Sequence, residues 1–274
     1  AVSFAVRTYD LGAKSLWSDE GLTLRRAEQP LGLVFENVNL IPVDPDYQDG
    51  SEHEAFVRTP DLHPPLYFLM MHVWIPLVGQ SEFALRFPSA FAATLSVVLL
   101  YVVGRALYSR ETGLWAALVG AASPFFLWYA QEARMYTWLI VLSLASMYFF
   151  LPLLEERARR RDYAACVIAT LALLYTHYAG FLLLAFEVGV YALYRVRQRH
   201  RDHLIVLAAV IVSALPLVPF MWRLMDVQPF SFTYRPLGII LKEAWSSFSL
   251  GPTRSAMQPW VRLLPFLSLF AVGT

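Results

Sequence analysis

The sequence is short of charge. Asp, Glu, Lys and Arg make up 16% of its 274 residues, while 57% are hydrophobic and mean hydropathy is +0.48. A soluble domain carries about a quarter charged residues, so this composition points to a polytopic membrane protein. Cysteine is nearly absent. Cys166 alone, inside an apolar run, excludes a disulfide framework and a cysteine-built metal site, and it reads as a small core residue. Neither sign of charge dominates, with a formal net charge of +1. The basic residues flank apolar runs instead of interleaving with aromatics, which excludes a nucleic-acid groove. No internal repeat is visible. Aromatic residues, by contrast, are plentiful at 15%, as expected where a chain needs both lipid contact and interfacial anchors.

Apolar stretches fall at about 64–79, 83–107, 112–130, 134–153, 163–177, 178–194, 204–222 and 259–274. About 20 helical residues cross a bilayer core. Three basic clusters orient the spans: Arg105 with Arg110; Arg157, Arg159, Arg160 and Arg161; and Arg195, Arg197, Arg199 and Arg201. The positive-inside rule puts all three in the cytoplasm. The outer side then receives 10–63, Arg86, Gln131 to Arg134, His177 and 223–258. With 63 and 86 both outside, 64–79 is read as an interfacial or re-entrant helix opened by Pro64-Pro65; a true span is the competing reading. The expected fold is all-α: a polytopic transmembrane helical bundle with outer-face juxtamembrane helices. It forms one module over 1–274 with outer loops at about 10–63 and 223–258. Ala1 to Val6 is expected to be the tail of a membrane helix and Pro259 to Thr274 the start of another, so the module is expected to be truncated at both ends.

In the first outer segment Ser18 is expected to cap a helix whose first turn carries Asp19 and Glu20, where carboxylates suit the helix dipole. Pro30 suits the first turn of a second short helix reaching about Leu40. An acidic loop follows, with Asp44, Asp46, Asp49, Glu52 and Glu54, whose spacing departs from the EF-hand pattern. In 223–258, Leu237, Ile240, Leu241, Ala244, Trp245 and Phe248 recur at helical spacing, the pattern of a helix lying in the membrane interface. That helix is read as a lid over a lipid substrate or as an anchor. Glu187, inside a span, and His72 are read as packing residues.

The polar residues of the outer side suit one chemistry. Moving a sugar from a lipid phosphate needs a base for the acceptor hydroxyl proton, which a carboxylate such as Asp19 can supply. It also needs cations on the phosphate as charge builds on the leaving group. Arginine forks onto phosphate oxygens, so Arg86 and Arg134 are the phosphate candidates, with His177 as a hydrogen-bonding partner. No tight metal-ligand spacing occurs, and neither metal nor cofactor is expected.

Leu16-Trp17-Ser18-Asp19-Glu20, His63-Pro64-Pro65-Leu66-Tyr67, Arg86-Phe87-Pro88-Ser89-Ala90, Gln131-Glu132-Ala133-Arg134-Met135-Tyr136 and Thr176-His177-Tyr178 arrive in an order that resembles the type C glycosyltransferases. The likeness is to the bacterial branch of family 39, related to protein O-mannosyltransferases and lipid A aminoarabinose transferases. It covers residues 16 to 178; from 203 onward only the pattern of spans and outer loop is shared. The resemblance implies a multi-pass plasma-membrane enzyme that transfers a sugar, with inversion, from a polyprenyl-phosphate donor on the extracytoplasmic face. The acceptor would be a lipid, glycan or protein hydroxyl, and membrane lipids the surroundings. It implies Asp19 as base with Glu20 as its catalytic neighbour, and Arg86 as a donor-phosphate ligand. His63 stands where some relatives carry lysine, and Glu132 matches a second acidic position. Arg134, Tyr136, His177 and Tyr178 complete the expected substrate-binding set. Two other readings stay open: a non-catalytic membrane subunit on this scaffold, and a lipid transporter or flippase. The latter would spread acids and bases along the middle of spans and show paired broken helices.

Overall fold

The computed structural model describes residues 1–36, 38–42, 56–60, 63–154, 158–195, 208, 210–219, 221–222, 236–241 and 243. It is a helical membrane bundle. A short helix α1 (Val2–Thr8) leads through a turn into α2 (Ser18–Glu28) and α3 (Leu31–Glu36). The hairpin β1 (Val38–Pro42) and β2 (Phe56–Pro60) follows, then α4 (Leu66–Val78), α5 (Glu82–Leu107), α6 (Arg110–Ala122), α7 (Pro124–Ala130), α8 (Tyr136–Leu154), α9 (Arg160–Thr176) and α10 (Gly180–Arg195).

The long apolar runs form the spans. At 1.5 Å per residue, the 26 residues of α5 reach about 39 Å and the 19 of α8 about 28 Å, enough for a bilayer core. The run at 112–130 is broken, as α6 and α7 meet at an angle of 58°. The break falls at Ser123-Pro124, where proline removes a helical N–H and Ser123 Oγ accepts from Phe126 N (3.4 Å) to restart the helix. Helix α4, with 13 residues, reaches only about 20 Å, too short to cross. It buries Tyr67, Phe68, Met71 and Ile75 against Ala27, Val34, Leu85, Ala133 and Met135, which makes the core beneath α2 and α3.

Two local expectations give way. Ser18 is the first helical residue, not the cap; the Trp17 N–H donates to Glu20 Oε2 (3.3 Å), so the carboxylate three positions on closes the turn. The helix begun after Pro30 stops at Glu36 instead of near Leu40, because Val38 to Pro42 pairs antiparallel with Phe56 to Pro60. Gln29, its amide nitrogen turned toward β1, donates to Val38 O (2.9 Å) and accepts from Leu40 N (3.0 Å). The acidic positions 44–54 and the last apolar stretch, 259–274, lie outside the described residues. Of the amphipathic stretch at 223–258, positions 237–241 and 243 are described, and they are helical.

Helices α5 and α6 pack closely through Gly104 and Gly113. A Cβ on Gly113 would sit 2.5 Å from the Tyr101 carbonyl oxygen. Within the bundle, Ser146 of α8 donates to Glu187 of α10 (2.8 Å) and lies 3.0 Å from the Thr170 hydroxyl of α9, so the buried carboxyl is hydrogen-bonded.

Candidate active site

The amino ends of α2 and α5, the carboxyl end of α9 and the turn between α7 and α8 converge, and the centre of that convergence is Glu20. Its side chain is fully buried, and Arg86, reaching from the first turns of α5, donates Nε to Oε1 (2.8 Å) and Nη2 to Oε2 (2.7 Å). The Ala133 N–H adds a third contact to Oε1 (2.8 Å). Arg86 Nη1 meanwhile donates to Leu11 O (3.0 Å) and Lys14 O (2.8 Å), and Nη2 to Ser15 O (3.1 Å). A guanidinium has five N–H donors, and here all five are held by protein acceptors. The expected phosphate ligand is thus occupied in folding the 11–15 turn onto α5.

Arg134 is placed differently. It is 5% exposed, yet its Nη1 makes only long contacts, to Asp19 O (3.4 Å) and Thr23 Oγ1 (3.3 Å). Its Nε is buried without a hydrogen-bond partner, and Nη2 stands 3.9 Å from Asp19 Oδ2. The backbone at this point is pinned, because Ser89 Oγ donates to Arg134 O (3.0 Å). The Asp19 side chain is 37% exposed. A carboxylate open to solvent therefore faces a buried cation with unused donors, while the adjacent carboxylate is locked. The two neighbours differ by helical geometry: consecutive positions point about 100° apart.

The ring system extends from there. Arg134 lies 5.8 Å from the Tyr136 ring centroid, Tyr136 lies 6.1 Å from His177, and His177 lies 5.7 Å from His63. His177 Nδ1 accepts from Ala179 N (3.0 Å), which places the ring proton on Nε2. Burial first, then His63 and Arg134, push the His177 pKa down to about 4, so the ring is neutral. Tyr178, the next residue, uses its carbonyl to accept from Phe181 N in the same turn.

Beside this cluster opens a cavity of about 450 Å³. Trp17, Trp128, Tyr129 and Tyr136 supply its aromatic walls; Lys14, Gln131 and Glu132 supply polar groups, and the Glu20–Arg86 pair also lines it. Glu132 Oε1 accepts from Trp128 Nε1 (2.7 Å). Burial raises the Glu132 pKa, and the indole contact opposes that rise. Tyr136 belongs both to the cavity wall and to the ring cluster. Flat aromatic faces with hydrogen-bonding groups between them suit a pyranose-sized ligand. Among the described residues no three His, Cys, Asp or Glu side chains are grouped to hold a metal ion.

Asp19, Glu20, Arg86, Arg134, Glu132 and Tyr136 are thus joined directly or through one neighbour, and His63 with His177 through Tyr136. Sequence reasoning assigned no role to Lys14, Trp128, Tyr129 or Gln131, although Gln131 opens the 131–136 motif. The aromatic pair at 128–129, just ahead of the polar run 131–136, was the available signal. A family model described as dolichyl-phosphate-mannose-protein mannosyltransferase matches residues 62–222, and no curated protein matches the chain.

Proposed function

Because the chain belongs to the dolichyl-phosphate-mannose-protein mannosyltransferase family of membrane glycosyltransferases, we propose that it transfers a sugar from a polyprenyl-phosphate donor to an acceptor hydroxyl on the extracytoplasmic face of a multi-pass bundle. Asp19 is the base in this reading. The acceptor oxygen attacks the anomeric carbon, its proton passes to the Asp19 carboxylate, and the bond from that carbon to the phosphate oxygen breaks. The lipid phosphate leaves with the bonding pair, and attack opposite the leaving group inverts the anomeric centre.

The observation that carries the reading is the unlike treatment of two neighbouring acids and two arginines. Asp19 and Arg134 keep unused capacity; Glu20 and Arg86 spend theirs on each other. Arg134 is assigned to the leaving phosphate, where an ordered guanidinium in a site of low dielectric stabilises developing charge. Neutral His177 presents an Nε2–H donor to the same group, and His63 and Tyr178 border it. The sugar ring lies between the aromatic walls of the cavity, with Glu132 and Tyr136 on its hydroxyls. Arg86 and Glu20 serve by holding the base-bearing helix in place. The matched segment begins at 62, after both acids, and Glu20 is the residue that joins the 11–20 stretch to it through Arg86 and Ala133.

Turnover of a labelled polyprenyl-phosphate sugar by the purified protein tests the proposal. Asp19→Asn should lower the rate by about two or more orders of magnitude, the scale of a general base. Wild-type turnover in that variant would reject the role, and hydrolysis or transfer by neither protein with any lipid-linked sugar would favour the non-catalytic subunit.

A further inference from the structure

Helix α1 carries a charged residue that the proposed chemistry does not use. Arg7 is fully buried and has no carboxylate beside it among the described residues. Its Nη2 donates to Gly120 O (3.0 Å) and its Nη1 reaches Ala121 O (3.4 Å), while Ser3 accepts from Nη1 through Oγ (2.7 Å) and through its carbonyl (3.2 Å).

The acceptors explain the placement. In an unbroken helix the carbonyl of Gly120 would receive the N–H of residue 124, four positions on. Residue 124 is proline and has no N–H to give. Arg7 Nη2 therefore supplies the donor that Pro124 withholds. A carbonyl buried without a donor is unfavourable, and the carboxyl end of α6 is also the negative pole of its dipole, where a cation is favoured. Gly120 itself is packed against α5, where a Cβ would run into the Leu100 side chain. At the far end of α7, Gln131 Nε2 donates to Tyr9 O (3.0 Å). The end of α1 and the turn after it thus hold the carboxyl end of α6, just ahead of α7, and the residue just beyond α7.

We propose that Arg7 is a positioning residue for the candidate site. By completing the break between α6 and α7 it fixes the 58° bend, and that bend carries Trp128 and Tyr129 into the cavity wall and sets Glu132 under the Trp128 indole. The positioning role rests on the proposed sugar transfer; the pairing of Arg7 with the Pro124 gap does not.

Two measurements on the full chain separate these parts. The first is a thermal-unfolding cycle in detergent with Arg7→Met, Pro124→Ala and the double variant. Alanine restores an N–H at 124, so the loss in melting temperature caused by Arg7→Met should shrink by at least half in the Pro124→Ala background. Equal losses in both backgrounds would overturn the pairing. The second is steady-state turnover of a labelled polyprenyl-phosphate sugar by wild type, Arg7→Met and Arg7→Lys. Arg7→Met should raise KM for the donor by about one order of magnitude with a smaller change in kcat, since a displaced aromatic wall weakens binding. Arg7→Lys, which keeps a cation and donors at the carbonyls, should recover most of that loss. Coupling in the first experiment with unchanged KM and kcat, or no recovery by lysine, would overturn the positioning role. A wild-type protein inactive on every lipid-linked sugar would overturn it together with the proposed function, while the melting cycle still decided the pairing.

Discussion

Glu20→Gln separates the structural acid from the proposed catalytic one. Glu20 Oε1 accepts from Arg86 Nε and Ala133 N; Oε2 accepts from Arg86 Nη2 and Trp17 N. Whichever oxygen becomes the amide nitrogen, an N–H group then points at two N–H donors. The substitution also leaves the Arg86 guanidinium, 5% exposed, without its counter-charge. Removing one partner of a buried pair costs about 3–5 kcal/mol. In a domain of this size each kcal/mol moves the melting point by roughly 2–4 °C, so a drop on the order of 10 °C is expected. Tryptophan fluorescence during heating in detergent micelles reads it directly. Asp19→Asn is the control: its carboxylate is 37% exposed and 3.9 Å from Arg134, so the pair contributes at most about 1 kcal/mol and melting should stay near wild type. Should Glu20→Gln melt with the wild type, the clamp described around Arg86 is not what holds the 11–20 stretch against α5, and the division of labour between the two acids fails.

Two further outcomes follow from burial and close packing. His177 is neutral in the folded protein, with its pKa at about 4 against an ordinary 6.5. The unfolded chain therefore binds the proton first, stability contributed above pH 6.5 is lost as pH falls toward 4, and His177→Asn should flatten the melting temperature across that window; an unchanged slope would show that His177 is not the group responsible. Gly113→Ala forces a Cβ to 2.5 Å from the Tyr101 carbonyl oxygen, backbone that cannot swing aside, and should cost about 1–3 kcal/mol in the same melting assay. A wild-type melting point would mean that α5 and α6 are not packed this closely.

How much of this was legible beforehand depends on whether the cause was local. The spans α5 and α8 follow from uninterrupted apolar runs, and the break at Ser123-Pro124 from a missing N–H, so all three could be read from neighbouring residues. That Asp19, Arg86, Arg134 and His177 gather in one region also followed, because charge flanking the apolar runs sorts their ends into two groups. The partners within that convergence were not readable. Arg86 as an isolated arginine suits a phosphate; only folding reveals that Glu20 and three carbonyls occupy it. Arg7 and Gly120 are 113 positions apart, and nothing in either neighbourhood names the other. The hairpin was missed because β1 gains its hydrogen bonds from a strand that follows the acidic positions 44–54 in sequence, whereas the expected helix rested on Pro30 alone.

Gln29 has a consequence for the surface of the outer segment. A lone hairpin leaves two rows of peptide groups open to any extended chain that drifts past. On β1, the Val38 oxygen and the Leu40 nitrogen are already engaged by one side-chain amide, which mimics a single rung of a third strand. An extended chain that reaches this rung of β1 finds both of its groups already taken.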